Sequence, residues 1–194
     1  MKIVTVSREY GAGGNAIARA AAKALGVEVY DRDIIARTAA ASSIEPARIE
    51  REGEEITVTE TLLRNITPIS YEQKDYIFET QREVVLEFAR KGPCVIIGRC
   101  ADVILREAGI ESLNVYVYAD REARAKRIGE YIHSEDRVEI FRAMRKKDRA
   151  RRAYYEHYTG QEWGDCHNYD LALNSGTLGF DECVRYICEA ASKD

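Results

Sequence analysis

Short apolar segments alternate with helical patterns along the whole chain, and this alternation restricts the fold more than any other feature of the sequence. The apolar segments that we predict as strands cover residues 2–6, 27–30, 94–97, 114–118 and 170–174. Helices are predicted over residues 15–25, 34–41, 71–91, 101–107, 122–131, 135–158 and 180–191. Strands that alternate with helices require right-handed crossover connections and therefore a parallel sheet. The sequence predicts a three-layer α/β/α fold with a five-stranded parallel sheet.

The composition suits a single folded domain of residues 1–194 without a membrane span. Hydrophobic residues make up 45% of the chain, and the longest apolar run is Cys94 to Ile97, far below the roughly 20 residues of a membrane helix. The first residues, MKIVTVSREY, turn polar too early for a secretory signal. Five cysteines, an odd number without a CxxC pair, indicate free thiols in a reducing compartment. We therefore expect a cytoplasmic protein with no membrane partner.

Basic residues are concentrated in one segment although the formal net charge of the chain is −4. They are Arg121, Arg124, Lys126, Arg127, Arg137, Arg142, Arg145, Lys146, Lys147, Arg149, Arg151 and Arg152. An acidic protein with a concentrated basic segment is typical of binding to a local anion rather than to a long polyanion. Acidic residues are interleaved with these cations, so nucleic-acid binding is the weaker interpretation.

A glycine-rich turn, Ser7 to Gly14, separates the first predicted strand from an alanine-rich helix. Glycines let successive N–H groups point inward, and a helix N-terminus adds its dipole. Such a turn directly after the first strand of an α/β protein predicts phosphate binding, and a tight corner without a ligand is the alternative. The predicted phosphate-binding residues are Ser7, Gly11, Ala12, Gly13, Gly14 and Asn15.

With Gly13 as its last glycine, this turn departs from the P-loop sequence GxxxxGK[ST] at both positions that follow that glycine. Gly14 stands where the motif has lysine, and Asn15 stands where it has Ser or Thr. The usual contact to the β- and γ-phosphates and one Mg²⁺ ligand are therefore missing. Arg8, inside the turn, is the candidate for a substitute cation.

Five segments follow one another in the order VSREYGAGG, LGVEVYDRDII, VIIGRCADVIL, DRARRAYYEHYTGQEW and NYDLALNS. Together they resemble the cytidylate kinase-like family, an offshoot of the bacterial cytidylate kinases among the P-loop nucleoside monophosphate kinases. The resemblance implies phosphoryl transfer from ATP, with Mg²⁺, to CMP or dCMP. It also implies a core of residues 1–40, 92–120 and 168–194, a helical monophosphate-binding insert of about 41–91, and an arginine-rich lid of about 121–167. Residues 42–67 of the insert are expected to close over the substrate.

The resemblance also implies roles for individual residues. Ile97-Gly98-Arg99 is similar to the Gly-Arg-Asp motif of cytidylate kinases, with Cys100 in place of the acid. Arg124 and Arg127 match the lid entry, where arginines face the phosphates, and a DxxR pair that contacts the monophosphate is matched further on. The predicted catalytic residues are Arg8, Arg99, Arg124 and Arg127, and the predicted monophosphate-binding residues are Asp31, Arg99, Asp148 and Arg151.

Each of these assignments also has a reason in the chemistry of the side chain, and each has a purely structural alternative. Arginine suits phosphate because its planar fork binds bidentately and stays charged, but Arg99 could instead pair with a helix carboxylate. The charged residues three apart on each lid helix could equally form solvated surface. Asp148 could accept a hydrogen bond from the cytosine amine, beside Arg151. Asp31 could orient a Mg²⁺-bound water or serve as a helix cap.

Two further groups of side chains receive structural interpretations. An aromatic-rich stretch predicts packing between the lid helix and the sheet edge, with base stacking by one ring as the minor alternative. Its members are Tyr154, Tyr155, Tyr158, Trp163 and Tyr169. Cys166 and His167, with His157, lack a second ligand pair at zinc spacing, so we predict no metal site there.

A nucleoside monophosphate kinase acting on CMP or dCMP is the leading hypothesis. The alternative is a catalytically weak or inactive nucleotide- or phosphate-binding protein of the same fold with a regulatory role, because the lysine and the hydroxyl of the P-loop are missing. Small-molecule nucleotides are the expected partners. The sequence leaves the base preference and the oligomeric state open, a homodimer included.

Overall fold

A five-stranded sheet forms the centre of the molecule in a computed structural model that describes residues 1–52 and 68–193. The strands are β1 (Ile3–Arg8), β2 (Glu28–Tyr30), β3 (Cys94–Ile97), β4 (Ser112–Tyr118) and β5 (Leu171–Asn174). Their order across the sheet is β2-β3-β1-β4-β5, and every neighbouring pair is parallel. The predicted strands are confirmed, and β1 continues beyond its predicted end to Arg8.

Helices connect and follow these strands. They are α1 (Gly14–Leu25), α2 (Arg32–Ser42), α3 (Pro46–Glu52), α4 (Pro68–Arg90), α5 (Ala101–Glu107), α6 (Arg121–Ile132), α7 (Arg137–Thr159) and α8 (Phe180–Ala191), with a 3-10 turn at Cys166–Asn168. The predicted helices are confirmed with small shifts at their ends. The expectation that residues 42–67 close over the substrate falls largely on residues 53–67, which lie outside the described residues.

Local signals in the sequence set several helix ends. The Asp120 carboxylate caps α6 by accepting from the N–H groups of Glu122 and Ala123, and the Asp136 carboxylate caps α7 by accepting from Val138 N. Gly26 ends α1 with a φ of 69°, as a glycine after a helix is expected to do. The two aspartate caps mark where α6 and α7 begin.

Both faces of the sheet are covered, so the three-layer prediction is confirmed. On one face, Ile17 of α1 and Ile187 of α8 are fully buried in a cluster with Val115 of β4. On the other face, Ile104 of α5 is buried in a cluster with Ile96 of β3. Burial of each such side chain stabilises the fold by about 1.5–3 kcal/mol. None of the described helices combines the length and apolarity that a membrane crossing requires.

The helices α6 and α7 form a separate small layer over the glycine-rich turn. Ile128 of α6 packs with Ile140 and Met144 of α7 in a cluster of their own. Further along α7, Tyr154 and Tyr155 are buried in the main cluster on one face of the sheet. The helix α7 therefore packs against α6 at its beginning and against the core at its end.

Candidate functional site

The carboxyl ends of β1 and β3 lie side by side, because Val6 of β1 pairs with Ile97 of β3. The glycine-rich turn follows β1, and the Gly98-Arg99-Cys100 turn follows β3. In open α/β sheets, ligands bind at this edge. The two motifs that the sequence singled out for phosphate chemistry are thus brought together by strand pairing.

Two glycines of the first turn adopt left-handed backbone conformations, with φ values of 81° at Gly11 and 80° at Gly13. Neither has room for a side chain: a Cβ would lie 2.7 Å from Ile128 Cδ1 at Gly11 and 2.1 Å from Phe180 Cζ at Gly13. Gly13 also precedes α1, where no side chain caps the helix. The first N–H groups of α1 therefore have no side-chain acceptor there, which is the arrangement that binds an anion at a helix N-terminus.

Gly14, at the position of the P-loop lysine, is a glycine for a steric reason. A Cβ at this position would lie 2.5 Å from Arg8 Cβ and 2.9 Å from Arg8 Cγ. The stem of the Arg8 side chain therefore occupies the space that a lysine at position 14 would need. This supports the interpretation of Arg8 as the substitute cation, because Arg8 and a lysine at position 14 would compete for the same space.

Two cavities open at this edge, and both are lined by Arg8 and Arg151. The first, which we call the loop cleft, has a volume of about 570 Å³. It lies over residues 8–16 and is bounded on its other side by α6. The second, which we call the arginine pocket, is a small recess where the side chain of Arg99 lies near Ser7 and Trp163. Of the residues predicted from the P-loop, Ala12 is fully buried and does not line the loop cleft. Its N–H donates to Glu9 O over 3.2 Å and its carbonyl accepts from the Ser175 hydroxyl.

Arg99 is held in the arginine pocket by an unusual turn. Gly98, Arg99 and Cys100 have successive φ values of 70°, 61° and 54°, a left-handed run that costs non-glycine residues roughly 1–2 kcal/mol each. The Arg99 side chain is buried, and its Nη1 donates to Gln81 Oε1 over 2.7 Å and to Ile49 O over 3.5 Å. Both acceptors are neutral. Within the described part of the chain, its Nε has no hydrogen-bond partner, so the pocket contains a buried cation to which the described residues supply no carboxylate.

Arg124 faces carboxylates rather than open cleft. Its Nη1 lies 3.0 Å from Glu9 Oε1, its Nη2 forms an ion pair with the Asp148 carboxylate, and its Nε donates to Tyr10 O over 2.8 Å. Tyr10 N donates to Asp148 Oδ1 over 2.9 Å. Two residues that the sequence assigned to different ligands are therefore bonded to each other, and Arg124 is buried rather than part of a solvated surface. Burial raises the pKa of Glu9, and the charge of Arg124 opposes that rise.

Arg127 ties the glycine-rich turn to the segment after β5. Its Nη1 donates to Gly11 O over 3.3 Å, and its Nη2 donates to Ser175 O over 3.2 Å. The buried Ser175 hydroxyl donates to Ala12 O over 2.5 Å. Arg127 also lines the loop cleft. Arg127 therefore forms part of the wall of the loop cleft and is also hydrogen-bonded to the glycine-rich turn.

The remaining predicted site residues lie at the borders of the two cavities. Arg151 Nη1 donates to Arg8 O over 3.2 Å. Asp31 precedes α2 but makes no capping bond. Instead its Oδ2 accepts from Asn15 Nδ2 over 2.9 Å and from Arg19 Nη2 over 3.0 Å. Asn15 and Arg19 both line the loop cleft, so Asp31 adjoins that cleft through its two partners.

The aromatic-rich stretch packs as predicted. Tyr154, Tyr155, Trp163 and Tyr169 are buried in the main cluster, and Tyr158 packs partly buried against it. The ligand atoms of Asp165, Cys166 and His167 lie within 4.8 Å of one another at the surface. His157 is placed elsewhere, with its Nε2 3.9 Å from Asp75 Oδ1.

Several residues of the site had no signal in the sequence. Glu9, Gln81 and Ser175 all contact predicted site residues, but none of the three was itself predicted as a site residue. Gln81 lies 18 positions from Arg99, and Ser175 lies 163 positions from Ala12. Glu9 was visible within the glycine-rich turn, yet nothing in the sequence indicated its pairing with Arg124.

The profile of the cytidylate kinase-like family matches residues 3–177. No curated protein sequence matches the chain. Among solved structures, an uncharacterized protein from Eubacterium ventriosum is similar with a TM-score of 0.73 and 21% identity over 100% of both chains. A shikimate kinase from Bacteroides thetaiotaomicron is similar with a TM-score of 0.56 and 12% identity over 97% of both chains. A shikimate kinase from Acinetobacter baumannii in complex with shikimate has a TM-score of 0.53 and 15% identity, over 98% of this chain and 92% of that one.

These structural likenesses, all at low identity, show the fold of the P-loop kinases. The family match covers most of the chain, from the first strand to the segment after β5. It includes both turns at the carboxyl edge of the sheet. The chain therefore belongs to the cytidylate kinase-like family.

Proposed function

We propose that this protein transfers the γ-phosphoryl group of ATP to a nucleoside monophosphate, CMP or dCMP. The observation that carries the proposal is that the loop cleft and the arginine pocket are both lined by Arg8 and Arg151. A donor in the first cavity and an acceptor in the second would meet at the same two cations. Phosphoryl transfer needs such an arrangement, because it depends on positioning two anions in line and on stabilising their charge.

In the proposed reaction, the phosphates of ATP lie along the N–H groups of Gly13 and Gly14 at the start of α1. The arginine pocket widens beyond its present volume of about 20 Å³, and the phosphate of the monophosphate then binds Arg99 there. An oxygen of that phosphate forms a bond to the γ-phosphorus while the bond to the β–γ bridging oxygen breaks, which yields ADP and a nucleoside diphosphate. Arg8 and Arg151 stabilise the negative charge on the transferred group.

A Mg²⁺ ion that arrives with ATP would be held mainly by phosphate oxygens and water, as Mg²⁺ usually is. Asp31 fits a supporting role, because both of its described bonds end on Oδ2. Its Oδ1 would accept from a water of the ion. When bound, the ion would neutralise charge on the triphosphate.

The proposal assigns Arg124 and Asp148 to the substrate only after their ion pair opens. In the present conformation each satisfies the other. Binding of phosphates would draw Arg124 away from Asp148, and Asp148 would then be available to the amine of a cytosine, beside Arg151. Base recognition and lid movement are coupled in this proposal.

We also propose a role for each segment of the chain and a cellular location for the protein. Residues 1–40, 92–120 and 168–194 form the nucleotide-binding core, residues 41–91 form the acceptor insert, and residues 121–167 form the lid. All five cysteines are free thiols, which supports a reducing compartment such as the cytoplasm.

The test is a panel assay of the full chain with MgATP and each nucleoside monophosphate, with separation of the products. Shikimate belongs in the panel, because two structural neighbours are shikimate kinases. We expect CDP or dCDP, and loss of that product in Arg99→Ala. Retained ATP binding without CDP or dCDP would instead support the second candidate, a binding protein with little catalysis. The reason for that candidate is that Gly14 and Asn15 stand at the lysine and Ser/Thr positions of the P-loop motif.

A further inference from the structure

One wall of the loop cleft is apolar, and the phosphate chemistry proposed above does not use it. Tyr10, Ile128 and Tyr131 line this wall. Ile128 is buried, and Tyr10 packs against the small cluster between α6 and α7, whereas 76% of Tyr131 is exposed. The ring of Tyr131 is therefore an apolar surface beside a cationic site that the described residues leave uncovered.

Tyr131 shares a face of α6 with the residues that contact the glycine-rich turn. Ile128 would meet a Cβ at Gly11 at 2.7 Å, and Arg127 Nη1 donates to Gly11 O over 3.3 Å. Tyr131 follows Ile128 by three residues, which is a rise of roughly 4.5 Å along the helix. It therefore lines the cleft about one turn beyond the point where α6 meets the glycine-rich turn.

We propose that the ring of Tyr131 is the stacking platform for the base of the nucleotide whose phosphates occupy the loop cleft. This inference rests on the proposed function, because it needs a nucleotide in that cleft. Arg8, Arg19 and Arg127 line the cleft and attract the phosphates, while the exposed ring offers a flat apolar face to the base. Stacking tolerates every base, because each has a π-face. The site accordingly accepts nucleoside triphosphates as a class.

The experiment compares two ligands that share the phosphates and differ in the base. Titration calorimetry of the full chain uses MgATP and magnesium tripolyphosphate with the wild type, Tyr131→Ala and Tyr131→Phe. The matched control is Tyr76→Ala, a tyrosine of α4 that is 52% exposed. We expect Tyr131→Ala to bind ATP about tenfold more weakly while its tripolyphosphate affinity changes by less than about twofold. Tyr131→Phe and the control should bind both ligands as the wild type does.

Equal ATP affinity of Tyr131→Ala and the wild type would overturn the stacking role. So would a parallel loss of both ligands, because that result would place the effect on the phosphates or on the fold of the lid. A wild-type protein that binds neither ligand would contradict the proposed function itself and the inference with it. The wild-type titrations thus separate failure of the inference from failure of the proposed function.

Discussion

At position 14 the side chain of Arg8 occupies the space that another side chain would need. This single contact explains why glycine stands where the P-loop motif has lysine. The backbone at Gly14 is helical and does not itself require glycine. The requirement comes from the Arg8 Cβ and Cγ atoms, which approach within 3 Å of any Cβ added there. A cation on the strand and a cation at the start of the helix are therefore alternatives, and this chain has the first.

We predict that Gly14→Ala destabilises the protein by about 1–3 kcal/mol, as overpacking does. Helix propensity alone predicts the opposite sign, because alanine is favoured over glycine in a helix by roughly 1 kcal/mol. Urea unfolding of the variant measures the change. Combining it with Arg8→Gly should recover part of the loss, since that change removes the clashing atoms. Stabilisation by Gly14→Ala alone would contradict the steric explanation.

The helices α6 and α7 are joined to the glycine-rich turn by charged side chains that the fold has largely buried. Arg124 of α6 bonds Glu9 of the turn and Asp148 of α7, so one guanidinium connects three elements. A second ion pair also joins α6 and α7, between Arg137 and Glu122, but both of its side chains are mostly exposed. The two pairs offer a matched comparison, because they link the same helices and differ in burial.

We expect Arg124→Ala to destabilise the protein by about 2–4 kcal/mol, because it leaves two half-buried carboxylates unpaired. Arg137→Ala should cost less than about 1 kcal/mol, since exposed pairs contribute little. Urea unfolding at low and high salt distinguishes them. Raising the salt concentration should reduce the difference in unfolding free energy between Arg137→Ala and the wild type, because salt screens exposed charges. Most of the loss of unfolding free energy in Arg124→Ala should remain at high salt. Equal costs for the two variants would show that burial of the Arg124 cluster has no energetic weight.

At the scale of the whole molecule, α7 connects the small α6–α7 layer to the core through a buried polar contact. Tyr155 of α7 donates from its hydroxyl to Asp102 Oδ2 over 2.7 Å, and Asp102 lies in α5. Asp102 is almost completely buried. Desolvation by that burial raises the pKa of Asp102 above its usual value, and the bond from Tyr155 opposes the rise.

This burial predicts a pH dependence of stability. Because the pKa of Asp102 is higher in the folded state than in the unfolded state, its contribution is complete below about pH 4, the usual pKa of aspartate. That contribution is lost as the pH rises through the folded-state pKa. Asp102→Asn keeps an acceptor for Tyr155 and cannot ionise, so its stability relative to the wild type should increase from acid to neutral pH. Urea unfolding of both proteins at acid and at neutral pH tests this prediction. An equal change in unfolding free energy with pH for Asp102→Asn and the wild type would contradict it.

Much of the fold could be predicted, because its signals are local. The apolar run Cys94 to Ile97 and the alanine-rich stretch before Gly26 each carry their own pattern, and the strands and helices follow from such patterns. Each segment that resembles the family is a short continuous stretch of chain, so the family assignment also came from the sequence. The glycine-rich turn and Arg99 were both predicted to bind phosphate, and the pairing of β1 with β3 places them at one edge of the sheet.

What the tertiary structure decided is which of these residues meet. The sequence predicted Arg124 and Asp148 as independent phosphate and base contacts, whereas the fold pairs them across 24 positions of chain. The fold also packs the Arg8 side chain against Gly14. It leaves the ring of Tyr131 exposed beside the loop cleft. The physical reason is that strand and helix propensities depend on near neighbours, while the partner of a buried charge depends on how the elements pack. The sequence by itself therefore determined the elements, the parallel sheet and the family, and packing decided the contacts of the site.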